Sequence, residues 1–364
     1  VIKKRENEIM FFAIKEIMHN KKKFSIVVIL IVLITYMVFF LTSLAYGLAS
    51  SYTNGLNKVQ ADYIVMDKDA NDNIMMSMLN DDDIVITTGQ EERLGLYPAV
   101  ATKNGVAVDE EDKYREEIYV FGVNDLSFYL PGEYVDLSLQ NNEIIIDQSL
   151  AKLGYIVGDQ IRLSGYDTTW EIKGITTKAT FQTAPIVYTN MSTWQNYRFY
   201  NQGIQPFYNA IFVKGDIQSM SDNLKAYTIS DFAYTLPGYT AQVLTFSIMI
   251  GFLIVMAAFI LGIFIYVITL QKVSMFGVMK AQGISSGYIA KSVLAQTFLL
   301  MLSGSIVGII LTLVSGFFLG GMVPFAVNIL FYAVILLSFF VFSFLGGLFS
   351  VGAIVKVDPI KAIG

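Results

Sequence analysis

FSIVVILIVLITYMVFFLTSLAYGLASSYTNGLN, residues 24–57, runs for 34 residues without one Asp, Glu, Lys, Arg or His. A helix needs about 20 apolar residues to cross the hydrocarbon of a bilayer, so this run holds one span with residues to spare. Two further neutral runs follow, 40 residues over 232–271 and 64 over 292–355, the second long enough for two spans. Gly320, Gly321 and Pro324 supply an uncharged turn between those two. The reading is a membrane protein with four transmembrane α-helices, at residues 25–48, 242–270, 292–319 and 328–355. Of the 364 residues, 54% are hydrophobic and 15% charged, where ordinary globular domains carry roughly 25% charge.

The charges that remain are segregated. Between Ser51 and Gly238 there are 26 acidic and 13 basic residues, whereas the rest of the chain has 4 acidic and 12 basic. Lysine and arginine beside membrane spans mark the cytoplasmic side. Here they are Lys3, Lys4, Arg5, Lys15, Lys21, Lys22 and Lys23 before the first span, Lys272, Lys280 and Lys291 after the second, and Lys356 and Lys361 after the fourth. Both termini are therefore expected inside, with the acidic block 49–238 outside. The first apolar run is too long for a cleaved signal segment, so it is expected to stay in place. Ordered structure is expected from about Met10, and Ile9 to Met18 reads as an amphipathic helix on the inner membrane surface, within a cytoplasmic segment 1–24. In the outer block the period shortens. Ala61–Asp67, Asp83–Thr88, Glu117–Val123, Glu143–Asp147, Gln160–Ser164, Thr169–Ile175 and Ile186–Tyr188 read as strands, with short helices over Gln148–Leu153 and near Ser192. That is an α+β domain inserted between the first and second helices, and without cysteine it must be stable without disulfides.

Several kinds of chemistry are excluded. Ion-coupled transport relies on ionisable side chains within the membrane, and the four spans have none. A channel lined by charged rings fails on the same ground. Lys291-Ser292 has no glycine before the lysine, so the chain lacks a phosphate loop and any ATP must be bound by another chain. One histidine and no cysteine leave no catalytic constellation, so the chain is not an enzyme by itself. His19 reads as a solvated or headgroup-facing residue. The clusters Asp81-Asp82-Asp83 and Asp109-Glu110-Glu111-Asp112 lack the spacing and central glycine of a calcium loop and read as solvated surface, so no metal site is assigned. Asp159, after Gly158, reads as a turn residue.

Three motifs then become specific. Thr269 to Gly283, with its Gly277-Val278-Met279-Lys280-Ala281-Gln282-Gly283 core, resembles the signature of the MacB/FtsX/LolC class of ABC-transporter permeases, also known as type VII. Asp358-Pro359-Ile360-Lys361-Ala362 resembles the C-terminus of that class. Ile146 to Ala151, followed by Val157 to Ile161, is similar to its extracytoplasmic core motif. Many members carry Arg and Glu where Val273 or Ser274 and Met275 stand here. That departure, with the run Ile34 to Ala49, looks most like the haem-exporting branch of Gram-positive bacteria. The resemblance implies a homodimer in the cell (plasma) membrane, in contact with lipid and bound to two copies of a separate ATPase that holds ATP and Mg. It implies haem as the transported substrate, no intrinsic cofactor and no nucleic-acid partner. It also makes 271–291 the coupling segment, with Met275, Phe276, Val278, Met279 and Lys280 facing the ATPase. In the first span Met37, Phe40 and Leu44 share a helical face, with Tyr36 and Tyr46 nearby, so Tyr36, Met37, Phe40 and Tyr46 are the candidate haem residues. Met249, Met256, Met66, Met75, Met76 and Met78 stand in reserve. A non-transporting regulator of a cell-wall hydrolase, and an exporter of an antimicrobial peptide or lipid, remain open alternatives.

Overall fold

The computed structural model describes residues 11, 13–134, 136–200, 203, 205–319 and 323–355. The turn at Gly320 and Gly321, the Asp358-Pro359 motif, and Lys3, Lys4, Arg5, Lys356 and Lys361 lie outside them. The chain divides into two units: residues 1–47 and 244–364, which hold the long apolar runs and are called the membrane unit, and residues 48–243, called the outer unit for the side that the charge pattern predicts.

Among the described residues the neutral runs become four helices long and apolar enough to cross a membrane: Lys21–Lys58, Tyr239–Leu270, Ser286–Leu319 and Ile329–Val355. In the membrane unit the first and third pack at close range because the third presents glycine. A Cβ on Gly304 would lie 2.4 Å from the Ile31 side chain, and one on Gly308 would lie 2.7 Å from Thr35 Cβ. Small residues at such crossings let backbones approach closely enough for dispersion to hold the helices together. The buried seam is Phe24, Val27, Ile31, Ile34, Val38 and Phe39 against Leu300, Met301, Ile335 and Phe339, with Ala257 and Leu261 of the second span.

The first helix does not stop at Leu48. It runs on to Lys58, and within the outer unit Leu56 and Val59 join the main core. Tertiary packing here overrides the weak helix propensity of the Gly, Ser and Asn residues between 47 and 57.

The outer unit is built on β1 (Tyr63–Asp67), β2 (Val85–Thr87), β3 (Gln90–Lys103), β4 (Glu116–Val123), β5 (Glu143–Asp147), β6 (Gln160–Leu163), β7 (Thr169–Thr176), β8 (Thr180–Phe181), β9 (Ala184–Asn190), β10 (Ala210–Lys214), β11 (Ile217–Met220) and β12 (Leu224–Thr228). The large sheet runs β12-β1-β10-β3-β4-β9-β5-β7-β6, and β6 pairs back onto the far end of β3. Six strands from β3 to β6 thus close into a ring, with β10, β1 and β12 continuing from the near end of β3. Pairing is parallel for β4 with β9 and for β5 with β7, and antiparallel elsewhere along the sheet. In this α+β domain Gly95 and Gly122 face each other across β3 and β4. The pair forms a flat seat for Trp194, and a Cβ on either glycine would come within 2.4 Å of that side chain.

Candidate functional site

Burial along the first span follows the helical period. Ile31, Ile34, Thr35, Val38 and Phe39 turn inward, while Ile26, Ile29, Leu33 and Met37 form an open apolar stripe. Met37 is 49% exposed. The other predicted substrate residues are engaged within the unit. The Tyr36 hydroxyl lies 3.2 Å from Ser315 Oγ of the third span. Its ring stacks on Phe40 at 5.5 Å between centroids, and Phe40 lies 6.0 Å from Phe325. Tyr46 meets Phe331 of the fourth span edge-on at 5.6 Å. The four residues therefore do not share one surface: Tyr36, Phe40 and Tyr46 brace the spans, and Met37 faces outward. Among the reserve methionines, Met66 is buried in the outer core, Met75 packs against it, Met249 is half-buried, and Met256, Met76 and Met78 are exposed. His19 is exposed. A cleft of about 650 Å³ between the second and fourth spans, lined by apolar side chains and Tyr266, adds room for a greasy molecule.

In the membrane unit the predicted coupling segment forms the helix Val273–Ala281. Phe276 and Met279 turn into their own chain, against Ile289 and Val293 of the third span. Met275 and Val278 are exposed and Lys280 is half-buried. The apolar edge available to a partner is thus narrower than the five residues predicted.

Beside this helix lies a cluster that sequence reasoning missed. The Glu16 carboxylate is buried. Lys272 Nζ donates to Glu16 Oε1 at 2.5 Å and to Gln296 Oε1 at 2.9 Å. Gln296 Nε2 donates in turn to Glu16 Oε2. Burial pulls the Lys272 ammonium below its ordinary pKa, and the hydrogen bond and charge of Glu16 hold it part of the way back. In the amphipathic pattern expected from Ile9 onward, Lys15, Glu16 and His19 are the polar residues among the apolar ones. The structure buries Glu16 and leaves Phe11, Ile14 and Met18 exposed.

In the outer unit the core motif has a structural basis. Asp147 is buried and caps the helix Gln148–Lys152 by accepting from Ser149 N, while its other oxygen accepts from Ala179 N at 2.8 Å. Asp159 accepts from Ile156 N at 2.9 Å and pairs with Lys103 at 2.5 Å, as a turn residue should. In the acidic clusters Asp81 pairs with Arg93, Glu111 with Arg162, and Asp83 accepts from Asn80 N.

Comparison with known proteins follows this architecture. Residues 24–226 match the family profile described as MacB-like periplasmic core domain, and residues 247–359 match that described as FtsX-like permease C-terminal. A Staphylococcus haemolyticus protein, provisionally named hemin transport system permease protein HrtB, is 25% identical over 362 residues, covering 98% of this chain and 99% of the relative. A Staphylococcus epidermidis protein of the same provisional name is 24% identical over 364 residues, with the same coverage.

Proposed function

The chain belongs to the MacB- and FtsX-like family of ABC-type permeases, and from that premise we propose that it is the membrane subunit of an ATP-driven haem exporter. The observation that carries the reading is Met37, a half-exposed thioether side chain on the open apolar stripe of a span free of charge. Haem is apolar across its faces, and its iron accepts soft axial donors such as methionine. Two copies of the stripe, brought together in a homodimer, make an apolar slot with one sulfur from each side. The names of the staphylococcal relatives point to the same substrate.

The family implies an ATPase partner. In this reading two copies of it bind ATP and Mg and close on ATP binding, pushing on the edge formed by Met275 and Val278. The short helix passes that push to the spans, which squeeze the slot and release haem outside, detoxifying the cell. The chain lies in the plasma membrane with both termini inside and residues 49–238 outside, an orientation supported by the lysines near the inner ends of the spans.

The test pairs the purified complex with a deletion strain. Haem is expected to stimulate ATP hydrolysis by the complex, and deletion is expected to lower haem tolerance. ATP hydrolysis indifferent to haem, together with unchanged tolerance, would reject the substrate. A division defect would then favour a regulator of a cell-wall hydrolase, and sensitivity to a peptide antibiotic or a lipid defect would favour the corresponding export.

A further inference from the structure

The cluster at the inner end of the membrane unit gathers polar side chains beside spans that otherwise exclude charge. Its three hydrogen bonds form a closed ring, Lys272 to Glu16, Lys272 to Gln296, and Gln296 to Glu16. Each member comes from a different segment. Glu16 lies on the N-terminal helical residues 13–19, Lys272 lies between the second span and the helix Val273–Ala281, and Gln296 lies on the third span. The Lys272 ammonium also sits 4.6 Å from the ring centroid of Phe24, at the start of the first span.

The place of Lys272 in the chain gives this ring its meaning. Its backbone N–H donates to Thr269 O at 3.1 Å, and its carbonyl accepts from Phe276 N at 3.0 Å, so the residue is fixed to the end of the second span and to the start of the short helix. A buried ion pair adds little stability over apolar groups of the same volume, and its best-attested use is to fix one arrangement among several. Apolar contacts tolerate sliding, whereas charge-assisted hydrogen bonds weaken steeply when length or angle changes. Ionisable side chains at the edge of a membrane bundle are costly unless paired, and they mark working positions.

We propose that Glu16, Lys272 and Gln296 are positioning residues, the joint through which a displacement of the short helix Val273–Ala281 is passed to the first and third spans. This rests on the reading of that helix as the contact with a partner ATPase, but not on the identity of the substrate. A push on the exposed Met275 and Val278 edge moves the helix start. The ring then converts that movement into a pull on Glu16 and Gln296 in fixed directions.

The sequence has no cysteine, so Val307→Cys on the third span, an exposed position away from the first-span stripe, takes a single spin label. With the partner ATPase bound, ATP is expected to change the label's signal in the otherwise unaltered protein. Lys272→Met and Glu16→Gln are each expected to shrink that change at least threefold. The combined variant Glu16→Leu, Lys272→Met, Gln296→Leu leaves no unpaired charge and guards against misfolding of the single variants. It is expected to bind the ATPase, as judged by co-elution, and to show the same loss. A full-sized response in the combined variant would overturn the joint, as would loss of ATPase binding, which would make the ring a determinant of folding alone. An unaltered protein that responds to ATP but not to haem would remove the haem reading and leave the joint standing. One that does not respond to ATP would remove the coupling reading and the joint with it.

Discussion

Trp194 in the outer unit is wholly buried over its two glycines, whereas Phe317 in the third span, another large aromatic side chain, is 85% exposed. The contrast recurs throughout each unit. In the outer unit Phe121, Phe181, Tyr188 and Phe212 are buried with 0% exposure, as water requires of large apolar groups. In the membrane unit Phe252, Phe259, Leu330 and Phe349 are left uncovered, while the buried seam between the first and third spans is set by Gly304 and Gly308. Large apolar residues thus mark the core in one unit, whereas in the other they stand on the uncovered surface as well as in the seam, so the same substitution should cost much in the first and little at the uncovered positions of the second.

The largest expected effect is at the buried tryptophan. Trp194→Ala should destabilise the outer unit by about 3–5 kcal/mol, read as a lower denaturant midpoint. Retention of wild-type stability would break the contrast. Next comes Lys272→Met, which leaves Glu16 as an uncompensated buried charge and should destabilise the membrane unit by roughly 3–5 kcal/mol. The combined apolar variant of the ring should recover most of that loss in a thermal melt in detergent. A smaller effect sharpens the picture from the other side: Phe317→Ala removes as much apolar surface as a core mutation but should change stability by under about 0.5 kcal/mol, since little in its own unit besides the edge of Phe318 touches it. A large loss there would point to burial against a second copy or a partner.

The smallest effect is electrostatic. Burial, with the Asp125 charge beside it, holds the Glu92 carboxyl above its ordinary range. The folded chain then binds that proton more readily than the unfolded one, so this group adds stability as pH falls through its folded value and takes it away as pH rises. Glu92→Gln should raise the melting temperature slightly at neutral pH and flatten its rise on mild acidification. An unchanged pH profile would show that the carboxyl is not strained.

The membrane unit was the more legible of the two because its signal is an absence of charge over tens of residues, which no local pattern imitates. The outer unit was legible where strands alternate or run apolar, as in β5 and β7. The longest strand, β3, was missed. Its first residues, Glu91, Glu92 and Arg93, look solvated, Gly95 and Pro98 read as strand breakers, and only the pairings with β10, β4 and β6 make it a strand. Glu16 was missed for a different reason. Its neighbours give it a polar helical face, and its partner Lys272 lies 256 residues away in the sequence. Met37 is named from the haem that the family resemblance implies together with helical spacing, and the structure keeps it outward while turning Tyr36 inward to Ser315, a distinction that depends on where the third span lies.

The most direct measurement encloses apomyoglobin in liposomes carrying this chain and its ATPase, with haem supplied in the membrane. Added ATP should develop the myoglobin Soret band for vesicles whose ATPase faces outward, and Met37→Ala should slow that development. A band that forms equally fast without ATP, or not at all while ATP is hydrolysed, would contradict haem export.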